Sequence, residues 1–247
     1  MSKDWTKIRA KVKDFIENEI YPKETQLAKG TPESREMLGS LMQLAKDEKI
    51  WALGHPKDIG GGGMPFMEYV YVNEVIGRSS FAMVALGTHS LQDSIMLREF
   101  ASPRWRDQYL EPLVQGEIFP SFGMTEPEVA SSDPTQLQTT AILEDGVWRI
   151  KGRKWFTTGA ARAAYTTVMC RTELEAPSHG AFSMIIVPTD NPGYKIIRET
   201  PVLGINGGHY EVEYDNVEVP EENLLGPRGQ GFIIAQKRLG PGRIFHC

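Results

Sequence analysis

The spacing of apolar residues changes once along this chain, near residue 119, and that change limits the fold more than any other feature. Before it, apolar positions recur at three and four: Ile8, Val12 and Phe15, then Met37, Leu38, Leu41, Leu44 and Ala45. This is the mark of helices with one buried stripe. Residues 66–76 and 81–100 continue the helical run, and Ser102 with Pro103 supplies an N-cap and first-turn proline for a helix carrying Trp105, Tyr109 and Leu113. Pro22, Thr31-Pro32 and the run Gly60 to Gly63 separate these helices. From Phe119 the pattern becomes short alternating segments divided by Gly, Pro, Asp and Asn, so strands are expected at 137–143, 147–156, 165–171, 182–187, 194–198 and 209–219. The first two flank Glu144-Asp145-Gly146, a hairpin turn. Strands following one another without helices between them suggest a small barrel or sandwich, not a βαβ nucleotide fold. After Gly229 the spacing is helical again through Phe232, Ile233, Ala235 and Leu239.

Composition narrows the function. A chain of 247 residues, 40% hydrophobic and 24% charged, can bury a substantial core. Its net charge is −5 and no run of Lys or Arg tracks a phosphate backbone, so nucleic acid is not an expected partner. The longest apolar stretches, such as 181–188, fall far short of the roughly 20 residues a membrane span needs. The amino-terminal residues MSKDWTKIRAKVKDF hold no apolar signal core, and a soluble intracellular protein is expected. Cys170 and Cys247 cannot form a disulfide framework, and Cys170 within TTVMC reads as a small buried hydrophobe. The histidines at 55, 89, 179, 209 and 246 lie at no metal-ligand spacing, so no metal is expected.

Two stretches carry chemistry. FGMTEPEVASSD, residues 122–133, leaves a strand through a Pro turn and presents hydroxyls beside backbone amides that no ladder uses. Such a loop can hold a polar planar ring, or it is an ordinary Pro- and Ser-rich connection. GRKWFTTG, residues 152–159, ends a strand with two aromatics and two threonines. Trp155 or Phe156 could cover the face of an aromatic cofactor and a Thr hydroxyl could reach a ring nitrogen; alternatively the aromatics are core, since strand alternation puts one of the pair inside. Glu126, before a proline in a turn, reads as a solvated or loop-bracing carboxylate and not an acid catalyst. The Gly60 to Gly63 run lacks the ending of a phosphate loop and reads as a flexible helix connection.

The order of these motifs, followed by ETPVLGINGGHYEVEYDNVEVPEENLLGPRGQGF and RLGPGR, resembles the acyl-CoA dehydrogenase family over essentially the whole chain. The family pattern at the first motif is Thr-Glu-Pro and then Gly-x-Gly-Ser-Asp. Here Glu128-Val129-Ala130-Ser131-Ser132-Asp133 follows Pro127, one residue longer and without the glycines. The resemblance implies an α+β multidomain fold: an all-α helical domain over 1–118, an antiparallel β-barrel flavin-binding domain over 119–226, and the start of a C-terminal helical domain over 227–247. It implies FAD as cofactor, with Phe122, Met124 and Thr125 lining the flavin and Phe156, Thr157 and Thr158 at the second motif. Phe156 falls where the family usually has Trp, and Thr158 falls near flavin N5. Ser132 would meet the pantetheine arm or pyrophosphate, with Ser131 a competitor for that role. Gly242 and Arg243 fall at the thioester site, although Arg243 also reads as a surface or helix-packing arginine.

The implied activity is oxidation of a saturated acyl-CoA to the 2-enoyl-CoA. Some relatives carry the catalytic Glu one residue before the arginine, which is Gly242 here, so the base is expected beyond Cys247, in a helical domain the chain lacks. A piece of a longer protein, of low activity by itself, is therefore expected. Electron-transfer flavoprotein is the implied electron acceptor, and a homodimer or homotetramer the implied full-length assembly. A bacterial cytoplasm fits the sequence, or mitochondrion or peroxisome in a eukaryote. Two other readings stay open: a related flavin-dependent monooxygenase or nitroalkane-oxidase-like enzyme, and a catalytically silent flavin or acyl-CoA binding module.

Overall fold

A computed structural model describes residues 5–203 and 208–246. Cys247 and residues 204–207 of the LGINGGHY segment lie outside the described residues, as do the first four positions. The chain divides into two compact units, one from the described residues of 1–98, Asp107–Glu117 and 238–246, the other from Glu99–Arg106 and Ile118–Lys237.

The first unit is helical. Its elements include α1 (Trp5–Phe15), α2 (Glu24–Leu27), α3 (Pro32–Asp47), α4 (Phe66–Ile76), α5 (Ala82–Ala85) and most of α6 (Leu91–Phe100). After α7 (Pro103–Trp105) in the other unit comes α8 (Glu111–Gln115). α3 starts where it does because the Ser34 amide donates to Thr31 Oγ1 at 3.3 Å and Pro32 needs no hydrogen-bond acceptor in the first turn. Val12, Ile16, Ile20, Leu41, Val72 and Ile76 are among its buried residues, each contributing about 1.5–3 kcal/mol by leaving water. The apolar run 81–100 is not one helix: it breaks at Gly87, whose backbone is left-handed (φ +69°). The Gly60 to Gly63 segment differs from the expected flexible connection. Gly61, Gly62 and Gly63 amides donate to the carbonyls of Pro56, Ala52 and His55, and a Cβ on Gly61 would sit 2.3 Å from His55. Glycine is there because two backbone segments touch.

The second unit is built on one eight-stranded sheet. Its strands are β1 (Pro120–Gly123), β2 (Thr140–Glu144), β3 (Val147–Thr158), β4 (Tyr165–Arg171), β5 (Phe182–Pro188), β6 (Tyr194–Glu199), β7 (His209–Pro220) and β8 (Leu224–Leu225). A helix, α9 (Gly231–Phe245), ends the described chain. The β2–β3 hairpin turns through Asp145 (φ +52°) and Gly146 (φ +76°), the double left-handed pair of a tight hairpin. β4 and β5 are buried at every residue but the last, hence their lack of an alternating polar face: only small hydroxyl residues, Thr166, Thr167 and Ser183, interrupt the apolar ones.

The expected antiparallel barrel is instead an open mixed sheet. The order β6-β7-β3-β2-β4-β5-β8 ends on two strands that do not pair with each other, and β1 runs parallel to β4. β2 meets β4 at a single parallel pair, Thr140 with Arg171, so the rest of the β4 edge, Tyr165 to Val168, is open to another strand. β1 takes that place.

Candidate functional site

A bulge makes the site. The ladder between β3 and β7 pairs Lys154 with Val212 and then Thr157 with Tyr210, leaving Trp155 and Phe156 opposite Glu211 alone. Phe156 absorbs the extra residue in a left-handed conformation, φ +48°. Without the bulge, alternation would put Phe156 inside with Lys154 and Thr157 outside. With it, Lys154 and Thr157 are both buried, while Phe156 is 43% exposed and Thr158 is exposed beside it. Neither aromatic enters the core: Trp155 is half-buried and its ring lies 4.8 Å from that of Phe156, tilted by 59°.

β1 and the turn after it lie along this end of β3. Ser121 Oγ donates to the Thr158 carbonyl at 2.8 Å, the Trp155 amide donates to the Thr125 carbonyl at 3.0 Å, and Thr125 Oγ1 donates to the Trp155 carbonyl at 2.8 Å. In β1, Ser121 and Gly123 are buried and Phe122 is not; Met124 and Thr125 are half-buried. The two motifs therefore form one shelf, with Phe122, Met124, Phe156 and Thr158 on its open side. Thr157 faces the interior, so of the two candidate threonines only Thr158 offers a hydroxyl there. Thr158 Oγ1 lies 2.9 Å from His209 Nδ1. When that nitrogen carries its proton it donates to Oγ1, and the threonine proton is free for another acceptor.

Beneath the shelf lies a buried ion pair. Lys154 Nζ, fully enclosed, donates to Glu126 Oε1 at 2.8 Å and to the Met124 carbonyl at 2.9 Å. The Glu126 carboxylate also accepts the amides of Gln138 at 2.7 Å and Thr139 at 2.9 Å. Burial raises the Glu126 carboxyl, but the Lys154 charge and these hydrogen bonds outweigh it and hold the group below the usual carboxylate range. Burial pulls the Lys154 ammonium down, against the pull of Glu126. Glu126 is thus a loop brace, as its place before Pro127 suggested, though a buried and not a solvated one. Burial pushes the nearby Cys170 thiol up to about 12, which keeps it inert.

The two serines separate. Ser131 Oγ accepts the Glu126 amide at 2.7 Å and lies 3.0 Å from the Glu126 carbonyl, so it closes the loop on itself. Ser132 is exposed. Asp133 caps the short turn Pro134–Gln136 by accepting from the Thr135 amide and hydroxyl.

Gly242 and Arg243 lie on α9 in the helical unit. A Cβ at Gly242 would come 1.7 Å from Gln92 Nε2, so that amide occupies the space a side chain would need. Arg243 is exposed. One turn earlier, Arg238 binds Asp93 of α6 through two hydrogen bonds of 3.1 and 2.9 Å. No group of His, Cys, Asp and Glu among the described residues could hold a metal ion, and no described helix is long and apolar enough to cross a membrane.

Lys154, His209 and Gln92 were not singled out in the sequence. For Lys154 a signal existed, since Trp148, Ile150 and Lys154 share one parity and the first two are plainly core positions. His209 and Gln92 carry none, because each becomes notable only through a partner at least 50 residues away.

A helical unit joined in sequence to a mixed sheet with a hydroxyl-bearing shelf defines a class that comparison can name. The acyl-CoA dehydrogenase N-terminal domain matches residues 2–117 and the acyl-CoA dehydrogenase middle domain matches 121–217. The chain belongs to the acyl-CoA dehydrogenase family. A solved structure from Mycobacterium abscessus, described as "a putative acyl-CoA dehydrogenase", superposes with a TM-score of 0.91 at 34% identity, over 99% of this chain and 65% of that one. Acyl-CoA dehydrogenase family member 10 of Mus musculus is 36% identical over 98% of this chain and 24% of its own length. The Mycobacterium tuberculosis protein named "Probable acyl-CoA dehydrogenase FadE2" is 43% identical over 85% of this chain and 53% of its own. An acyl-CoA dehydrogenase from Bacillus anthracis, solved with FAD, has a TM-score of 0.79 at 27% identity, over 98% of this chain and 41% of that one. The chain thus spans about half or less of the curated relatives cited and under two thirds of these solved chains.

Proposed function

We propose that the shelf is a flavin site and that the protein containing this chain oxidises a saturated acyl-CoA to the 2-enoyl-CoA. The observation that carries the reading is the cross-linking of 121–125 to 155–158 by three hydrogen bonds, which brings an aromatic face, a free-edged loop and a threonine hydroxyl onto one open surface. The chemistry of the donors fits FAD: its ring has a polar pyrimidine edge and two apolar faces, and its pyrophosphate takes hydroxyl donors. Phe156 would cover a face, Phe122, Met124 and Thr125 would line the pyrimidine side, and Thr158 would approach N5. The Thr125 hydroxyl proton is committed to the Trp155 carbonyl, so its oxygen is left as an acceptor. Ser132, whose hydroxyl faces solvent, suits the pyrophosphate or pantetheine better than Ser131.

Bound FAD would supply the two-electron sink that takes hydride from Cβ. The protein's part is to orient the thioester, with Gly242 and Arg243 assigned to its neighbourhood, and to give hydrogen bonds that acidify the Cα proton. That proton would pass to a carboxylate, and position 242, where some relatives carry theirs, is glycine here. A positioned base is worth about 10²- to 10⁴-fold. On this reading the electrons leave to an electron-transfer flavoprotein and the whole protein is a homo-oligomer. The visible spectrum of the purified protein, before and after anaerobic addition of acyl-CoAs of several lengths, tests it. Bleaching of bound flavin by an acyl-CoA is expected. Bound FAD that no acyl-CoA reduces would favour a silent binding module, and failure to bind FAD would end the flavin reading.

A further inference from the structure

The flavin reading assigns ring contacts to the shelf but leaves open what fixes the loop that bears them. Met124, Thr125 and Glu126 lie between β1 and a Pro turn, outside any ladder. Loops of this kind are held by side chains or not at all. Four of their backbone groups have identified partners from below or alongside: the Met124 carbonyl accepts from Lys154 Nζ, the Thr125 carbonyl accepts from the Trp155 amide, the Glu126 amide donates to Ser131 Oγ, and the Glu126 carbonyl accepts from the same hydroxyl. A trans peptide is planar, with its carbonyl and amide on opposite sides. Capture of the Met124 carbonyl by an ammonium in the interior therefore turns the Thr125 amide the other way, toward the open side of the shelf. No acceptor for that amide is found among the described residues. Thr125 is the residue whose hydroxyl is already spent on Trp155, so the amide is the donor this residue has left to give.

The cation that does this is expensive to keep. Lys154 has a side-chain exposure of 0% and Glu126 one of 5%. A methionine at 154 with a glutamine at 126 would fill the same space without two desolvated charges, and buried ion pairs often add little stability over such replacements. What a neutral pair would not do is hold a backbone carbonyl with a charge-assisted bond. The carboxylate in turn takes the Gln138 and Thr139 amides, so the same pair anchors the residues leading into β2. A steric detail agrees: Gly123 leaves space that a Cβ would close to 2.9 Å of Tyr214 Oη and 3.4 Å of Lys154 Cγ, so the lysine stem passes directly under β1.

We propose that Lys154 is a positioning residue: paired with Glu126, it holds the Met124 carbonyl inward and so presents the Thr125 amide outward as the donor to the pyrimidine edge of the flavin. The inference rests on the flavin reading. It touches no reacting atom and makes a claim a purely structural role would not, namely that the electronic state of the ring depends on a lysine that does not contact it. A donor at that edge favours the electron-rich reduced ring, so its loss lowers the reduction potential.

The test compares the complete protein with K154M/E126Q, which removes both charges and avoids a lone buried carboxylate, and with K154R as the charge-retaining variant. FAD affinity, the reduction potential of the bound flavin and its carbonyl stretching frequencies are measured beside the unfolding midpoint. The double variant is expected to keep a native-like midpoint, bind FAD about tenfold more weakly, as befits one lost hydrogen bond, and show a lower potential with a shifted C2=O stretch. K154R should restore part of the potential. Unchanged potential and carbonyl frequency in a folded double variant would overturn the inference while leaving the flavin site intact. If the unchanged protein binds no FAD, the flavin reading fails first and the inference falls with it. Should the double variant not fold, T125P, which deletes the amide, decides: an unaltered potential and carbonyl frequency in folded, FAD-loaded T125P would refute the claim, and a lowered potential there with a near-native one in K154R would support it.

Discussion

Lys154 and Arg238 are both cations facing buried carboxylates, but their surroundings differ. Lys154 is fully enclosed and divides its donors between the Glu126 carboxylate and a loop carbonyl, while Glu126 takes two further backbone amides. Arg238 keeps 13% of its side chain exposed and meets Asp93 through two side-chain hydrogen bonds. The first pair grips backbone and so sets the course of a loop. The second joins the side chains of two helices whose backbones are already satisfied by their own ladders. Removing either should destabilise its unit, yet only removal of the first should alter the geometry of the shelf.

The largest expected effect is that of K154M alone. It leaves the Glu126 carboxylate buried without its cation, and should lower unfolding stability in urea by about 3–5 kcal/mol. Adding E126Q should recover much of that loss. R238M should cost less, about 1.5–3 kcal/mol, because water can reach the partly exposed site and because the loss is that of two charge-assisted bonds. It should also leave FAD affinity unchanged per folded molecule. The contrast breaks if R238M proves the costlier substitution, or if it weakens FAD binding as K154M/E126Q does.

The pH dependence of stability sharpens the same contrast. The Glu126 carboxyl is held low in the folded protein, below an ordinary value of about 4.3. Its stabilising contribution is therefore present above that ordinary value and is lost as pH falls through the folded one. Lys154 is also lowered by burial, so between its folded value and about 10.4 the unfolded chain holds more protons and stability again rises with pH. Unfolding midpoints of K154M/E126Q should be flatter than those of the unchanged protein in both windows. Parallel profiles would mean that the pair titrates alike folded and unfolded.

How much of this was readable beforehand follows from the range of the forces involved. Helical spacing through Val12, Leu41 and Leu44, the break at Thr31-Pro32, the Ser102 cap and the Asp145-Gly146 turn are local, and the helices and the hairpin fall where they point. The barrel does not, because closure depends on whether β6 and β8 pair, and no residue within either strand states its neighbour. The break at Gly87 was hidden by apolar residues on both sides of it. Within the site, the motifs marked two segments that lie side by side, but not which way their residues face. A one-residue bulge has no compositional mark here, since Phe156 bears its left-handed backbone without a glycine, and that bulge decides that Thr158 and not Thr157 is outward. The brace role of Glu126 could be read from its Pro turn, whereas its partner lies 28 residues along the chain.

The smallest expected effect concerns Gly242, and it tests why a glycine sits inside a helix one turn from Arg238. Two tendencies oppose each other there. Alanine is better than glycine in a helix interior by roughly 0.5–1 kcal/mol. Its Cβ, however, would come 1.7 Å from Gln92 Nε2, the far end of a flexible side chain, and turning that amide away gives up its 3.3 Å hydrogen bond to the Arg238 carbonyl. That bond is long, and its loss should cost about 0.5–1 kcal/mol. G242A is therefore expected to change stability by less than about 0.5 kcal/mol, while G242A with Q92A, which clears the space, should be more stable than Q92A alone by nearly the full helix preference. A double-mutant cycle measured by urea unfolding reads this directly. If G242A is strongly destabilising and Q92A gives no relief, the glycine is required by something other than the Gln92 amide, and the seam between α6 and α9 that Asp93 and Arg238 hold is tighter than its side chains indicate.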